Sequence, residues 1–182
     1  VRALAAGGVT ANQVTVAAAV MSVATGVVLT FDGAKPRVWL LLPVVLFVRM
    51  ALNAIDGMLA REHGQKSALG AFLNELCDVI SDAALYLPFV LVAAPLIVVL
   101  SVLLSALTEM AGVVALQVGA ERRYDGPMGK SDRAFAFGLL AFLMGIGLPV
   151  DPYLSYAVGA VGLLAAWTVV NRVRAGLAQA RR

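Results

Sequence analysis

Six apolar runs divide this chain. They occupy residues 14–31, 38–60, 69–90, 95–118, 134–150 and 153–173, each close to the ~17–25 residues that a helix needs to cross the hydrocarbon core. Backbone in lipid must satisfy its own hydrogen bonds, so runs of this length predict helices. Hydrophobic residues make up 61% of the 182, against about 45–50% in soluble domains, and the mean hydropathy is +0.90. The expected fold is an all-α integral membrane protein of six transmembrane helices in one membrane domain, 1–182. It divides into a juxtamembrane segment at 1–13, a six-helix bundle at 14–173 and a basic tail at 174–182. Pro88 and Pro95 predict a short turn between the third and fourth spans, because proline cannot continue a helix interior.

Lysine and arginine set the expected topology. Arg2, Arg61, Lys66, Arg122, Arg123, Lys130, Arg133, Arg172, Arg174, Arg181 and Arg182 fall on one side and only Lys35 and Arg37 on the other. The positive-inside rule then places both termini, and a polar cavity between the second and third spans, on the cytoplasmic side. The net charge of +3 comes with no basic run interleaved with aromatics, so no nucleic-acid partner is expected and anionic headgroups are the natural counter-charge. The expected location is multi-pass in a bacterial inner membrane. Cys77, the single cysteine, excludes an intrachain disulfide and reads as a small packed residue.

Thr10 and Gln13 have the capping-box spacing and predict a helix start, leaving Asn12 and Thr15 free to face a polar cavity. Residues 119–133, GAERRYDGPMGKSDR, form the longest cytoplasmic connection and carry four cations. GPMGKS superficially resembles a phosphate loop, but its glycine spacing is too short and no strand precedes it.

Acidic residues inside the apolar runs demand a reason, since an ionised side chain near the bilayer centre costs ~2.5–3.5 kcal/mol on insertion scales. At 100° per residue, Arg49, Asn53, Asp56, Gly57 and Ala60 share one face of the second span. Gly70, Ala71, Asn74 and Asp78 share one face of the third, with Glu75 and Asp82 at its flank. Counting turns inward from Arg61 and Gly70 puts Arg49 level with Asp82, which predicts a deep ion pair with Glu109 as a competing partner. Asn53, Asp56, Asn74 and Asp78 remain as an oxygen-only cluster with no further neutralising residue at their level. Such a set suits a hard divalent cation, Mg²⁺ or Mn²⁺, shared with a phosphate-bearing ligand. His63 lies on a short loop without histidine or cysteine company and reads as a solvated residue.

The segment from Asn53 to Asp82 resembles the CDP-alcohol phosphotransferase signature, D-x-x-D-G-x-x-A-R, eight residues, G-x-x-x-D-x-x-x-D. Asp56-Gly57, Ala60-Arg61, Gly70 and Asp78 fall in register, and Asn53 and Asn74 stand where the first and third aspartates belong. The resemblance implies divalent metal held by Asp56 and Asp78 with Asn53 and Asn74 assisting, and Asp78 as the catalytic base. It implies nucleotide contacts at Gly57, Ala60, Arg61 and Gly70, a CDP-linked lipid donor such as CDP-diacylglycerol, and a homodimer. Lys130 and Arg133 are the candidates to meet an alcohol or polyol-phosphate acceptor, with Arg122 and Arg123 behind them; the alternative is an ordinary positive-inside loop. The two asparagines leave three readings: an enzyme using one ion or weaker ions, with Glu75 or Asp82 compensating, a non-catalytic relative that binds CDP-lipids, or engineered positions. A transporter is the reading from another class; the absence of an inverted repeat argues against it.

Overall fold

The computed structural model describes residues 1–181, and among them every regular element is helical. A short helix α1 (Arg2–Ala6) precedes α2 (Ala11–Asp32), α3 (Leu41–Glu62), α4 (Ala68–Tyr86), α5 (Pro95–Gln117), α6 (Lys130–Gly145) and α7 (Asp151–Ala180). Two 3₁₀ turns, Pro36–Leu40 and Leu87–Leu91, lead into α3 and out of α4.

Among the described residues four stretches are long and apolar enough to cross a membrane: Ala11–Asp32, Pro36–Glu62, Pro95–Gln117 and Asp151–Ala180. The six long helices match the six apolar runs in order, but α4 and α6 do not meet that measure. α4 carries Glu75, Asp78 and Asp82, while α6 has 16 residues and opens on Lys130, Asp132 and Arg133. The expected boundaries shift as well. α2 starts inside the stretch read as juxtamembrane, and α7 runs unbroken through the stretch read as a tail to Ala180; Arg182 lies outside the described residues.

The helix starts follow from local chemistry. Thr10 and Gln13 form the expected capping box, at 3.2 Å from the Gln13 amide to the threonine hydroxyl and 2.9 Å from the Thr10 amide to the glutamine oxygen. Ser67 accepts the Gly70 amide at 2.9 Å to open α4, and Pro95 opens α5 where a missing N–H costs nothing.

α2 packs along both α3 and α4, while α3 and α4 barely touch each other backbone to backbone; α5 runs along α7, and α6 closes onto α3. The buried stripe of α2 is mostly small: Ala11, Thr15, Ala18, Ser22, Thr25 and Gly26. Small residues let helices approach closely in lipid, where no hydrophobic force drives them together. At Gly26 the approach is closest, since a Cβ there would lie 2.2 Å from the Ala84 carbonyl oxygen. Ser22 and Thr25 return their hydroxyls to the carbonyls of Ala18 and Met21, which removes an unpaired donor from an apolar setting.

Away from the charged end the core is aromatic. Tyr86 stacks on Phe137 at 4.0 Å between centroids, and Phe89 meets Phe137 and Trp39 edge-on at 5.0 and 4.8 Å. Large apolar side chains such as Phe31, Phe47 and Leu163 stay exposed around the outside, as expected of surface whose solvent is lipid.

Candidate active site

One end of the bundle gathers the polar groups. The N-terminal segment is clipped to the α3–α4 turn by Gln65, whose side-chain oxygen accepts the Ala11 amide at 2.7 Å and whose amide donates to the Val9 carbonyl at 3.3 Å. Because α2 wedges between α3 and α4, a cavity of about 500 Å³ opens at this end, walled by Asn12, Asp56, Ala60, Arg61, Gly70 and Asn74 among others. Its glycines allow close approach. The Arg61 guanidinium folds across Gly57, where a Cβ would sit 3.2 Å from the nearest nitrogen, and at Gly70 a Cβ would lie 2.9 Å from the Asn12 side-chain oxygen. Asp56 is buried and accepts the Thr15 hydroxyl at 2.8 Å. Asn12 and Thr15, left open by the sequence, thus both face the cavity.

Asn53 and Asp78 lie one turn deeper, half-buried and outside the cavity wall, with Asp78 within electrostatic range of Asp56. The cluster was expected to have no neutralising residue at its level, and here the structure corrects the sequence reading. The Lys130 ammonium sits on Asp78 Oδ1, and the Arg49 guanidinium reaches the same oxygen at 3.4 Å and the Asp78 carbonyl at 3.1 Å. The signal missed was long-range: Lys130 comes from the start of α6, 52 residues away.

The deep pair forms as expected, with Arg49 donating to Asp82 at 2.6 Å. It belongs to a larger network. Arg133, fully buried, donates to Asp82 at 2.9 and 3.2 Å, to Glu109 at 2.8 Å, to the Thr108 hydroxyl at 2.8 Å and to the Met128 carbonyl at 3.2 Å. Glu109 pairs with Arg133, Arg122 and Arg172 rather than competing for Arg49, and Glu75 pairs with Arg122 at 2.6 Å. Two expectations change in consequence. Arg133 has no donor directed at an acceptor phosphate, because every guanidinium nitrogen is already hydrogen-bonded inside the protein. Glu75 and Asp82, the candidates to make up for the missing aspartates, are likewise engaged by arginines, Glu75 through one oxygen at the cavity wall and Asp82 through both.

The 119–129 connection is equally occupied. Arg123 grips both Asp125 oxygens at 2.8 Å and the Gln179 side chain at 3.0 Å, its amide donates to the Gly112 carbonyl, and the Met128 amide donates to Thr168 at 3.0 Å. Asp125 lies outside the spans, and the Arg123 hydrogen bonds hold its carboxyl below the usual carboxylate range. All four cations of 119–133, which the sequence left as acceptor candidates or a positive-inside loop, are therefore paired. His63 is exposed, in keeping with a solvated loop residue.

The donor set decides what metal could fit. Among the described residues no group of three or more histidine, cysteine, aspartate or glutamate side chains could hold an ion. Two carboxylates, Asp56 and Asp78, with amide oxygens from Asn53 and Asn74, suit one hard cation that completes its shell with water and ligand phosphate. They do not supply the charge for two.

This is the architecture of a helical membrane protein with a polar, glycine-walled cavity at one end of the bundle. Residues 8–170 match the CDP-alcohol phosphatidyltransferase family, and the chain belongs to that family. It is 46% identical over 177 residues to the inner membrane protein YnbA of Escherichia coli (strain K12), covering 93% of this chain and 85% of that protein. Its fold is similar to that of Mycobacterium tuberculosis phosphatidylinositol phosphate synthase PgsA1. The structure of that protein with CDP-DAG bound gives a TM-score of 0.77 at 23% identity, covering 98% of this chain and 90% of PgsA1. Its complex with manganese and citrate gives 0.78 at 23% identity, over 97% and 86%.

Proposed function

We propose that this protein transfers a phosphatidyl group from CDP-diacylglycerol, or a related phospho-alcohol group from another CDP-alcohol, to an alcohol or polyol-phosphate acceptor, with release of CMP. The observation that carries this reading is the pairing of Asp56 and Asp78 on two separated helices beside a cavity walled by Gly57, Ala60, Arg61 and Gly70. All six are signature positions. The setting is an inner membrane, with all six long helices crossing it, both termini and the cavity on the cytoplasmic side, and the protein working as a homodimer.

Asp56, Asp78, Asn53 and Asn74 would hold a divalent cation, Mg²⁺ or Mn²⁺, and that ion supplies charge neutralisation at the donor diphosphate. The remaining work falls to the chain. Gly57 and Gly70 let the nucleotide approach the backbone, Ala60 keeps that wall narrow, and the Arg61 guanidinium offers paired donors to a phosphate. The Thr15 hydroxyl fixes the Asp56 carboxylate from α2. Asp78 Oδ1 is occupied by Lys130 and Arg49, which leaves Oδ2 to take the acceptor hydroxyl's proton. The acceptor oxygen then bonds to the lipid-side phosphorus as its bond to the CMP oxygen breaks, and CMP departs with the electron pair. Lys130, at the mouth of α6, also stands where an acceptor's own phosphate would enter.

The test is CMP release from CDP-diacylglycerol in detergent with Mg²⁺ or Mn²⁺, over a panel of alcohols and polyol phosphates. Release is expected with at least one acceptor and should fall about 100-fold or more in Asp78→Ala, the usual scale of a lost general base. Silence with every acceptor and several CDP-alcohol donors would favour the second reading, a CDP-lipid-binding relative, which the two asparagines motivate. Activity that survives Asp78→Ala would remove the base assignment.

A further inference from the structure

The loop cations differ in what they can do. Arg122, Arg123 and Arg133 are tied to Glu75, Asp125 and the Asp82–Glu109 pair, so Lys130 is the one whose charge reaches the signature residues. It is not a wandering surface lysine. Lys130 begins α6, where the Gly129 amide donates to Asp132 at 2.8 Å and the Met128 amide to Thr168, and its side chain is 27% exposed against 15% for Asp78. Asp56 lies within its electrostatic range too.

The charges at this level then nearly close by themselves. Asp56 and Asp78 together balance one divalent ion, and Asn53 and Asn74 add oxygen without charge. A second divalent ion would leave two excess positive charges in a part-buried site, and Lys130 would raise the excess to three. We infer that Lys130 acts as a built-in monovalent cation at the position where a second metal would otherwise bind, so that each chain holds one divalent ion with the lysine beside it. The inference rests on the phosphotransferase reading and adds to it a stoichiometry and a role for a residue outside the signature. In this arrangement the ammonium repels a second ion from Asp78 while remaining available to the donor diphosphate.

Metal binding tests this without turnover. Full-length protein in detergent, with no lipid donor, is titrated with Mn²⁺ and free ion is read by electron paramagnetic resonance. One Mn²⁺ per chain is expected. Lys130→Met should keep one ion but tighten it about tenfold, because a unit positive charge is removed from within a few ångströms, while Lys130→Arg should stay near the parent affinity. Asn53→Asp with Asn74→Asp should still hold one ion while Lys130 is present, and adding Lys130→Met to that pair should raise the count to two. Parallel thermal melts check that each variant is folded, and Lys130→Gln serves if the methionine variant is not. Two ions in the unaltered chain, or an affinity that Lys130→Met and Lys130→Gln leave unmoved, would overturn the inference and spare the phosphotransferase reading. No Mn²⁺ in any variant, the double aspartate included, would bring down both.

Discussion

Neutralising Asp82 in Asp82→Asn probes the buried charge network with almost no change of shape. Asp82 is 5% exposed and accepts from Arg49 and Arg133, themselves 2% and 0% exposed. Removing its charge leaves two desolvated guanidiniums to share Glu109 and the more distant Asp78 contact at 3.4 Å. Loss of one partner from a buried ion pair costs about 3–5 kcal/mol, since the surviving charge stays buried without compensation. For a chain of this size each kcal/mol moves the melting temperature about 2–4 °C, so a fall of about 6–20 °C is expected. A melt followed by near-ultraviolet circular dichroism in detergent reads it directly. Asp32→Asn is the control: its pair with Lys35 is 46% and 72% exposed, and such pairs contribute about 0–1 kcal/mol. An Asp82→Asn melt within about 2 °C of the parent would show that water or rearrangement already compensates these arginines, and the network would lose its structural standing.

Two other perturbations address the frame around the site. Gly26→Ala should destabilise by about 1–3 kcal/mol, the usual range for an overpacked contact, because the new Cβ meets the Ala84 backbone at 2.2 Å; an unchanged melt would mean α2 and α4 separate freely. The Asp125 carboxyl is held below its unfolded value by Arg123, so its contribution is present above the unfolded pKa and fades as pH falls through the lower folded one. Hydrogen exchange corrected for intrinsic rate should therefore show loop 119–128 losing protection only below the ordinary carboxylate range. In Arg123→Gln that loss should move to higher pH; a transition that stays put would show that Arg123 does not hold the Asp125 carboxyl down.

Local rules carried the sequence reading furthest. The Thr10–Gln13 cap, the proline-bounded turn after α4 and the Arg49–Asp82 pair all follow from spacing and depth along one helix or two neighbouring ones. The Arg49 case is instructive, because helical rise alone put two charges at one level across 33 residues. Residues 119–133 were only half legible, for the opposite reason. Their cations look like any cytoplasmic loop until α5 and α7 supply Glu109, Thr108 and Gln179, and nothing in the local pattern says which helix will stand next to which. The same blindness hid Lys130 on Asp78. The α3 and α4 faces meet through side chains, Arg49 on Asp78 and Asp82, while α2 packs against the backbones of both.

That third helix has a consequence for how such a site can vary. α2 contributes no signature residue, yet its girth sets the gap across which Asp56 and Asp78 face one another. Gly26 lies against Ala84 at one end of it and Thr15 against Asp56 at the other. It serves as a spacer block. Exchanging one small residue for another along its buried stripe would reset the reach between the two carboxylates, and with it the size of ligand they can grip, while every ligating side chain stayed the same.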